Sequence, residues 1–324
     1  MPNGLHVALR GGCSCPPLRD VRSVQEALDP VKNLGNVDAL RIPDARESGS
    51  PVVIALVRGY GPPRWARAWR HDLARISYDE QTATAFKAVR EVPRDGLSEW
   101  REAVRRHLRP SHGMTLVDIG AGTGAFATAF GDWFGLSVFA VEPSAAMRAQ
   151  IPRRPDIQVL EGDASSLPLP DRSADGAWLS LVIHHIPDLE AAAREIRRVL
   201  RAGAPVLIRQ GFPGRIDQVE LVRWFPETAR TVDTYPSVEQ TCQAFAAAGF
   251  SRDALEQIPE TYPTSLAEFL TQADAFRHAD TTMRNLTEDE FLRGKERLRH
   301  AVRHAEDTAN PETRSNWLDL LVLR

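Results

Sequence analysis

Cysteine, lysine, surplus positive charge and long apolar runs are all scarce in this sequence. The cysteines are Cys13, Cys15 and Cys242, too few for a disulfide framework. Cys13 and Cys15 are close enough to suggest a metal pair. Cys242, however, sits in an Ala-rich helical pattern and reads as a small packing residue, so no metal site is expected. Lys32, Lys87 and Lys295 are the only lysines among 40 Lys and Arg residues. This bias, with abundant Ala, Gly and Pro, fits a GC-rich coding sequence and warns against reading every Arg as a phosphate ligand. The 40 basic residues face 43 acidic ones, for a net charge of -3 and a pI near 6.3, so the basic footprint of a nucleic-acid binder is missing. No segment offers the ~18 consecutive apolar residues of a transmembrane helix. A charged n-region followed by an apolar stretch is also absent from the N-terminus. Cytoplasmic location is the expectation.

The 324 residues suffice for one large α/β domain with insertions or for two small domains. The 43% hydrophobic and 26% charged residues are those of an ordinary globular protein. Residues 1–76 stand apart, with a Gly-Gly-Cys-Ser-Cys-Pro-Pro run, a Pro/Arg/Gly-rich stretch from Gly59 to Arg64, and little sustained period. No methionine follows Met1 until Met114. The segment is read either as disordered or as an over-extended start, with translation beginning before Ser77; N-terminal mass spectrometry of the native protein distinguishes the two. A single domain is expected over 77–324, with helices preceding the sheet at 77–110 and insertions at about 212–235 and 264–308.

Helical periodicity is predicted over 79–91 (Phe86, Val89) and 97–108 (Leu97, Trp100, Val104, Leu108), with Arg109-Pro110 ending the second helix. Strands at 115–119, 137–141, 157–161, 174–180 and 205–210 then alternate with helices at 125–134, 144–150 and 189–200. This rhythm points to βαβ units and a parallel sheet. Beyond Gln210, helices are expected at 216–225, 238–248, 266–276 and 288–306, and strands around 254–258 and 317–323.

The most informative stretch is Leu116-Val117-Asp118-Ile119-Gly120-Ala121-Gly122-Thr123-Gly124, a strand running into a glycine turn that opens a helix. Glycines there permit positive φ and close approach of a ligand to the backbone. On its own G-x-G-x-G is weak, being shared with nucleotide-binding domains. Three further features strengthen it. Glu142 ends the second strand 24 residues after Asp118, where a carboxylate can accept hydrogen bonds from a ribose diol. Glu161-Gly162-Asp163-Ala164 ends the third, and the run from Ser173 to Ser180 forms the fourth. All these ends fall at the carboxyl edge of the sheet, where such folds bind ligands. The dinucleotide fingerprint is G-x-G-x-x-G; here Gly120, Gly122 and Gly124 alternate and Ala125 follows, which argues against a NAD(P)-dependent oxidoreductase.

On these motifs, the run from about Tyr78 to Arg324 resembles the class I S-adenosylmethionine (SAM)-dependent methyltransferases, especially the small-molecule branch with a type 11 core. The resemblance implies a doubly wound α/β fold: a mostly parallel, seven-stranded Rossmann-like sheet with helices on both faces and a helical substrate cap. It implies that Asp118, Gly120, Ala121, Gly122 and Gly124 surround the methionine part of SAM. Glu142 would hold the ribose hydroxyls, and Pro143 and Ser144 would line the adenine side. Asp163 would bond the exocyclic amine, and Ala164 would offer its backbone N–H. Ser180, ending the fourth strand, completes the expected cofactor set. Leu167-Pro168 matches the family's Leu-Pro after that turn. One departure is local: the family's Arg-Val-Leu-Arg/Lys-Pro-Gly-Gly reads Arg198-Val199-Leu200-Arg201-Ala202-Gly203-Ala204 here. Gly203 should keep the turn.

The implied activity is in-line SN2-type transfer of a methyl group from SAM to a small organic acceptor, leaving S-adenosylhomocysteine. Composition and the apolar insertion suggest bacterial secondary metabolism. A general base is needed only if the nucleophile must lose a proton. His184 and His185, just past the fourth strand, are the candidates, with His185 favoured; an ordinary imidazole pKa of about 6.5 suits neutral pH. Arg209 and Gln210 at the end of the fifth strand are candidate substrate contacts, Tyr78 a candidate lid contact, and Trp224, Phe225 and Tyr235 candidate pocket lining. Packing is the alternative role for each. An RNA or protein methyltransferase would show salt-dependent RNA binding or a macromolecular product. A regulatory SAM-binding protein would bind tightly without turnover. The only expected partner is a small-molecule methyl acceptor, with neither nucleic acid nor membrane; the oligomeric state is left open.

Overall fold

A computed structural model of the chain describes residue 83 and residues 94–262, 265–308 and 314–324. The segment 1–76 with Cys13 and Cys15, Tyr78, and the helix expected over 79–91 apart from Ala83 lie outside these residues.

The expected alternation is present. Thr115–Ile119 (β1), Ser137–Glu142 (β2), Ile157–Glu161 (β3), Gly176–Ser180 (β4) and Val206–Gln210 (β5) are parallel neighbours. Arg252–Tyr262 (β6) and Arg314–Leu323 (β7) complete one seven-stranded sheet in the order β3-β2-β1-β4-β5-β7-β6, with β7 antiparallel to both flanking strands. From β1 the chain steps outward through β2 and β3, then returns to place β4 on the other side of β1. The topological switch point is therefore the carboxyl end of β1 and β4, where loops diverge and leave a crevice.

Residue parity decides the two faces, because successive side chains of a strand point in opposite directions. Leu116, Val138, Trp178, Leu207 and Val322 pack on one side against Ser98–Leu108 (α1) and Ala125–Phe134 (α2). There Trp178 meets Trp100 edge-on at 5.9 Å and Phe130 at 5.4 Å. Val117, Val141, Leu179, Ile208 and Leu321 face the other side, and that core also holds residues of Leu189–Val199 and Val238–Ala246. With both faces covered, central strands such as β4 and β5 are apolar on both sides until their carboxyl ends, where Ser180, Arg209 and Gln210 stand.

Numbered along the chain, the helices after α2 are Ala145–Arg148 (α3), Leu189–Val199 (α4), Glu220–Trp224 (α5), Ala229–Val232 (α6), Val238–Ala246 (α7), Leu266–Ala279 (α8), Thr281–Arg284 (α9) and Glu288–Thr308 (α10). Asp188 caps α4 by accepting the Ala191 N–H, while Ser237 with Gln240 and Ser265 with Glu268 form capping boxes on α7 and α8, each cap worth about 1 kcal/mol. The departure at Ala202 is absorbed as expected: Gly203 takes φ 76° and the Ala204 N–H closes on the Arg201 carbonyl.

Two expectations are corrected. The helix predicted over 216–225 shrinks to Glu220–Trp224, because the residues before it are tied to β7. The Trp317 N–H donates to the Gln218 carbonyl, and Asn316 Oδ1 accepts the Glu220 N–H at 3.1 Å. β6 is longer than predicted, continuing through Pro259 to Tyr262. It is an edge strand, where proline's missing N–H leaves no ladder bond unmade.

Both stretches after β5 contribute to a helical layer with its own apolar cluster. Trp224 and Phe225 meet Phe269 of α8, Met283 of α9, and Phe291 and Leu298 of α10. Among the described residues no helix is long and apolar enough to cross a membrane.

Candidate functional site

The site is built at the carboxyl ends of β2, β1, β4 and β5. As β1 ends, the Gly120 and Ala121 N–H groups both donate to the Val141 carbonyl of β2, at 2.8 and 3.1 Å, which turns the chain sharply. Gly122 follows with φ 55°, and a Cβ built on it meets no protein atom within 4 Å. Its outward face is open space over the cavity. The loop is held from β2, where Glu142 accepts the Gly122 N–H and the Ser144 N–H, each at 2.9 Å. Arg148 of α3 fastens this corner from behind by donating to the carbonyls of Glu142 and Pro143.

Asp118 is the electrostatic centre of this end. It is buried at the end of β1, and its Oδ2 has no hydrogen-bond partner. Burial, reinforced by the neighbouring Glu142 carboxylate, pushes its pKa up from 3.8 to about 8. Glu142 is also raised, mainly by burial, with its two N–H donors and Arg148 pulling the other way. An orphaned carboxylate oxygen beside a second carboxylate is a site for a cation.

Past β4 the chain turns through Leu181, whose φ of 53° is uncommon for a branched side chain, into the single turn Ile183–His185. Ile183 and Ile186 are buried and anchor that turn, which lets both histidines line the cavity. His184 stacks on Tyr235 with ring centroids 4.1 Å apart and 12° between planes, and lies 4.0 Å from the His185 ring. Gln210 reaches His184 Nδ1 through its Nε2 at 3.3 Å. The same Nε2 donates to the Gly211 carbonyl, which fixes the amide orientation, since a flipped amide would set oxygen against oxygen. Nδ1 of His184 is then the acceptor, and its ring proton sits on Nε2.

Arg209 ends β5. Its guanidinium donates through Nε and Nη2 to Glu260 of β6 and through Nη1 to Ser180 at 3.0 Å.

These elements enclose one cavity of about 850 Å³, at the upper end of the ~300–1,000 Å³ usual for ligand sites. The structure brings Asp118, Gly120, Ala121, Gly122, Glu142, Pro143, Ser180, His184, His185 and Arg209 together on its wall. Five other expected site residues are placed elsewhere. Gly124 is the left-handed cap opening α2, and a Cβ there would strike Ile151 at 2.7 Å, so its glycine serves packing. Asp163 is exposed and accepts the Ser165 N–H in a local turn, while Ala164 is buried in the core; neither lines the cavity. Trp224 and Phe225 lie in the apolar cluster of the helical layer, with Phe225 stacked on Phe291, and do not line it. Their neighbours Leu221 and Val222 do, together with Tyr235. Sequence reasoning missed Phe269, Phe276, Asp280 and Asn316, also on the wall, because nothing local marks a residue distant in sequence as facing the crevice.

With this geometry in place, the likeness to known proteins is informative. The family described as a methyltransferase domain matches residues 117–208, from β1 to β5. A ubiquinone/menaquinone biosynthesis C-methyltransferase of Caulobacter vibrioides is 36% identical over 121 residues, 33% of this chain and 48% of that protein. A demethylmenaquinone methyltransferase of Roseiflexus sp. is 32% identical over 180 residues, 47% of this chain and 74% of that protein. The chain spans about half the length of the first curated relatives it matches. A crystal structure of a candidate methyltransferase from an antibiotic biosynthesis pathway of Anabaena variabilis superposes with a TM-score of 0.55 at 23% identity, covering 69% of this chain and 95% of that one; at that identity the likeness shows the fold. The glycine turn, the strand-end acids, the sheet order and these relatives agree: the chain belongs to the class I SAM-dependent methyltransferases.

Proposed function

We propose that the protein transfers a methyl group from SAM to a small organic acceptor held in this cavity. The observation that carries the reading is Asp118, a buried carboxylate on the cavity wall with an orphaned oxygen, crowded by Glu142 and suited to a cation. The methionyl ammonium of SAM is such a cation, and the open space over Gly122 admits a chain close to the backbone, so the residues present fit the cofactor. SAM supplies an electrophilic methyl on a sulfonium, with a neutral thioether as leaving group.

Asp118, Gly120, Ala121 and Gly122 would hold the methionyl end. Each Glu142 oxygen accepts one N–H and retains a lone pair for a ribose hydroxyl, beside Pro143 and Ser144. No part is assigned to Asp163, Ala164 or Gly124. The helical layer serves as the substrate cap: Leu221, Val222, Phe269 and Phe276 wall the chamber and exclude water from the reacting groups. The histidines divide the proton chemistry. His184 carries its proton on Nε2 and acts as a donor; His185 takes the proton the acceptor loses, leaving that electron pair to form the bond to carbon. A phenolic oxygen, or a ring carbon activated by a phenol, is served by such a base. A setting in bacterial secondary metabolism is supported by the Arg-rich, Lys-poor composition.

The test uses the full chain, methyl-labelled SAM and a small-molecule extract, with RNA and protein substrates in parallel. Label should appear in a low-mass product matched by S-adenosylhomocysteine. With that acceptor, His185→Ala should lower turnover by ~100-fold or more while SAM affinity changes little. Label only in RNA or protein would overturn the reading, and unchanged turnover in the variant would remove His185 from the chemistry.

A further inference from the structure

The end of the cavity away from the glycine turn carries a charge pattern that restricts its occupant. β5 lies two strands from β1, roughly 10 Å at ordinary strand spacing, so the backbone of Arg209 and Gln210 is set apart from that of Asp118 and the glycine turn. Among the described residues Arg209 is the only lysine or arginine on the wall, and each of its three guanidinium nitrogens already has a partner. Nε and Nη2 bond Glu260, Nη1 bonds Ser180, and the rings of Trp100 and Phe126 each lie 5.3 Å from its central carbon. Glu260 is completely buried, and its second oxygen accepts the Asn316 amide at 3.4 Å. Among the described residues the acidic wall residues of the cap side are Glu220 on α5 and Asp280 at the cap of α9, both of which hold interactions of their own. Around them the wall carries Leu221, Val222, Phe269 and Phe276 together with Thr281 and Thr282.

We propose that the acceptor is a neutral, largely apolar molecule, that carboxylates and phosphates are rejected, and that Glu260 sets this selectivity by neutralising Arg209. The inference rests on the reading of this cavity as the acceptor site. An anion entering here would lose its hydration and meet, among the described residues, a single arginine whose charge Glu260 already balances. A buried charge without a partner is strongly disfavoured. A phenol or enol loses far less, since its single hydroxyl can be met by the histidine pair.

The experiment titrates the full chain, first saturated with S-adenosylhomocysteine, with 1- and 2-naphthol and with 1- and 2-naphthoate. The naphthols should bind and the naphthoates should bind at least ~30-fold more weakly. Glu260→Gln leaves the Arg209 charge unmatched, so naphthoate affinity should rise ~10-fold or more, narrowing or reversing the preference. Naphthoates binding as well as naphthols, or no naphthol binding, would overturn the proposal. So would a folded Glu260→Gln protein with unchanged discrimination. Should that variant fail to fold, the wild-type comparison still decides. Failure of S-adenosylhomocysteine to bind in the first step would instead count against the cofactor reading.

Discussion

Replacing Gly122 with valine should abolish SAM binding while leaving a folded chain. The position has φ 55° and lines the cavity, and a side chain there meets no protein atom. The new atoms would therefore occupy ligand space rather than core. Left-handed backbone at a branched residue costs about 1–3 kcal/mol, a loss of stability that must be separated from a loss of binding. Gly203 supplies the control: its φ is 76°, a Cβ there also meets nothing, and it lies outside the cavity wall. Gly122→Val and Gly203→Val should lose similar stability in thermal melts. Calorimetry should show SAM affinity reduced ~100-fold or more only in the first. Equal SAM affinity in both variants would place the cofactor somewhere other than over this turn.

The second large effect comes from Asp118. In the unfolded chain its carboxyl titrates near 3.8, and in the folded protein at about 8. Between these values the unfolded state is ionised while the folded state holds its proton, so this group makes ligand-free stability fall as pH rises from about 4 to about 8, then level off. Asp118→Asn removes that loss, and the variant's melting temperature should gain on wild type steadily across the window. Binding a cation reverses the balance, because an ammonium beside the carboxylate favours its ionised form. Wild-type affinity for SAM should therefore tighten from pH 6 to pH 8, with up to one proton released, visible as a dependence of the binding enthalpy on buffer. Asp118→Asn should bind SAM ~10–100-fold more weakly through the lost charge-assisted contact, with little pH dependence. A variant that binds as tightly as wild type and melts in parallel with it at every pH would show that Asp118 neither carries a buried proton nor meets the ligand.

The central fold was legible because its signals are local. β1, α2 and β3 fall at their predicted bounds, each an apolar run closed by a glycine turn or a polar corner. The wall residues Asp118, Gly122 and Glu142 follow from that frame, since a strand end at the switch point has one place to go. Other features depend on what packs against what. Trp224 and Phe225 are large and apolar, as a pocket wall often is, but α10 supplies Phe291 to cover them, and the smaller Leu221 and Val222 face the cavity instead. Asp163 sits in the expected motif, yet its carboxylate is turned onto its own loop. The committed state of Arg209 was invisible, because Glu260 lies 51 residues away on a strand extending past a proline that reads as a stop. Period and motif report burial and turn geometry; they do not report the partner.

The most direct measurement is calorimetric titration of the full chain with SAM, S-adenosylhomocysteine and NADPH. Micromolar binding of both sulfur ligands and none of NADPH is the expected result, with heats consistent with one site. Absence of binding by either sulfur ligand to well-folded protein would contradict the assignment of the glycine turn, Asp118 and Glu142 as the seat of the methyl donor.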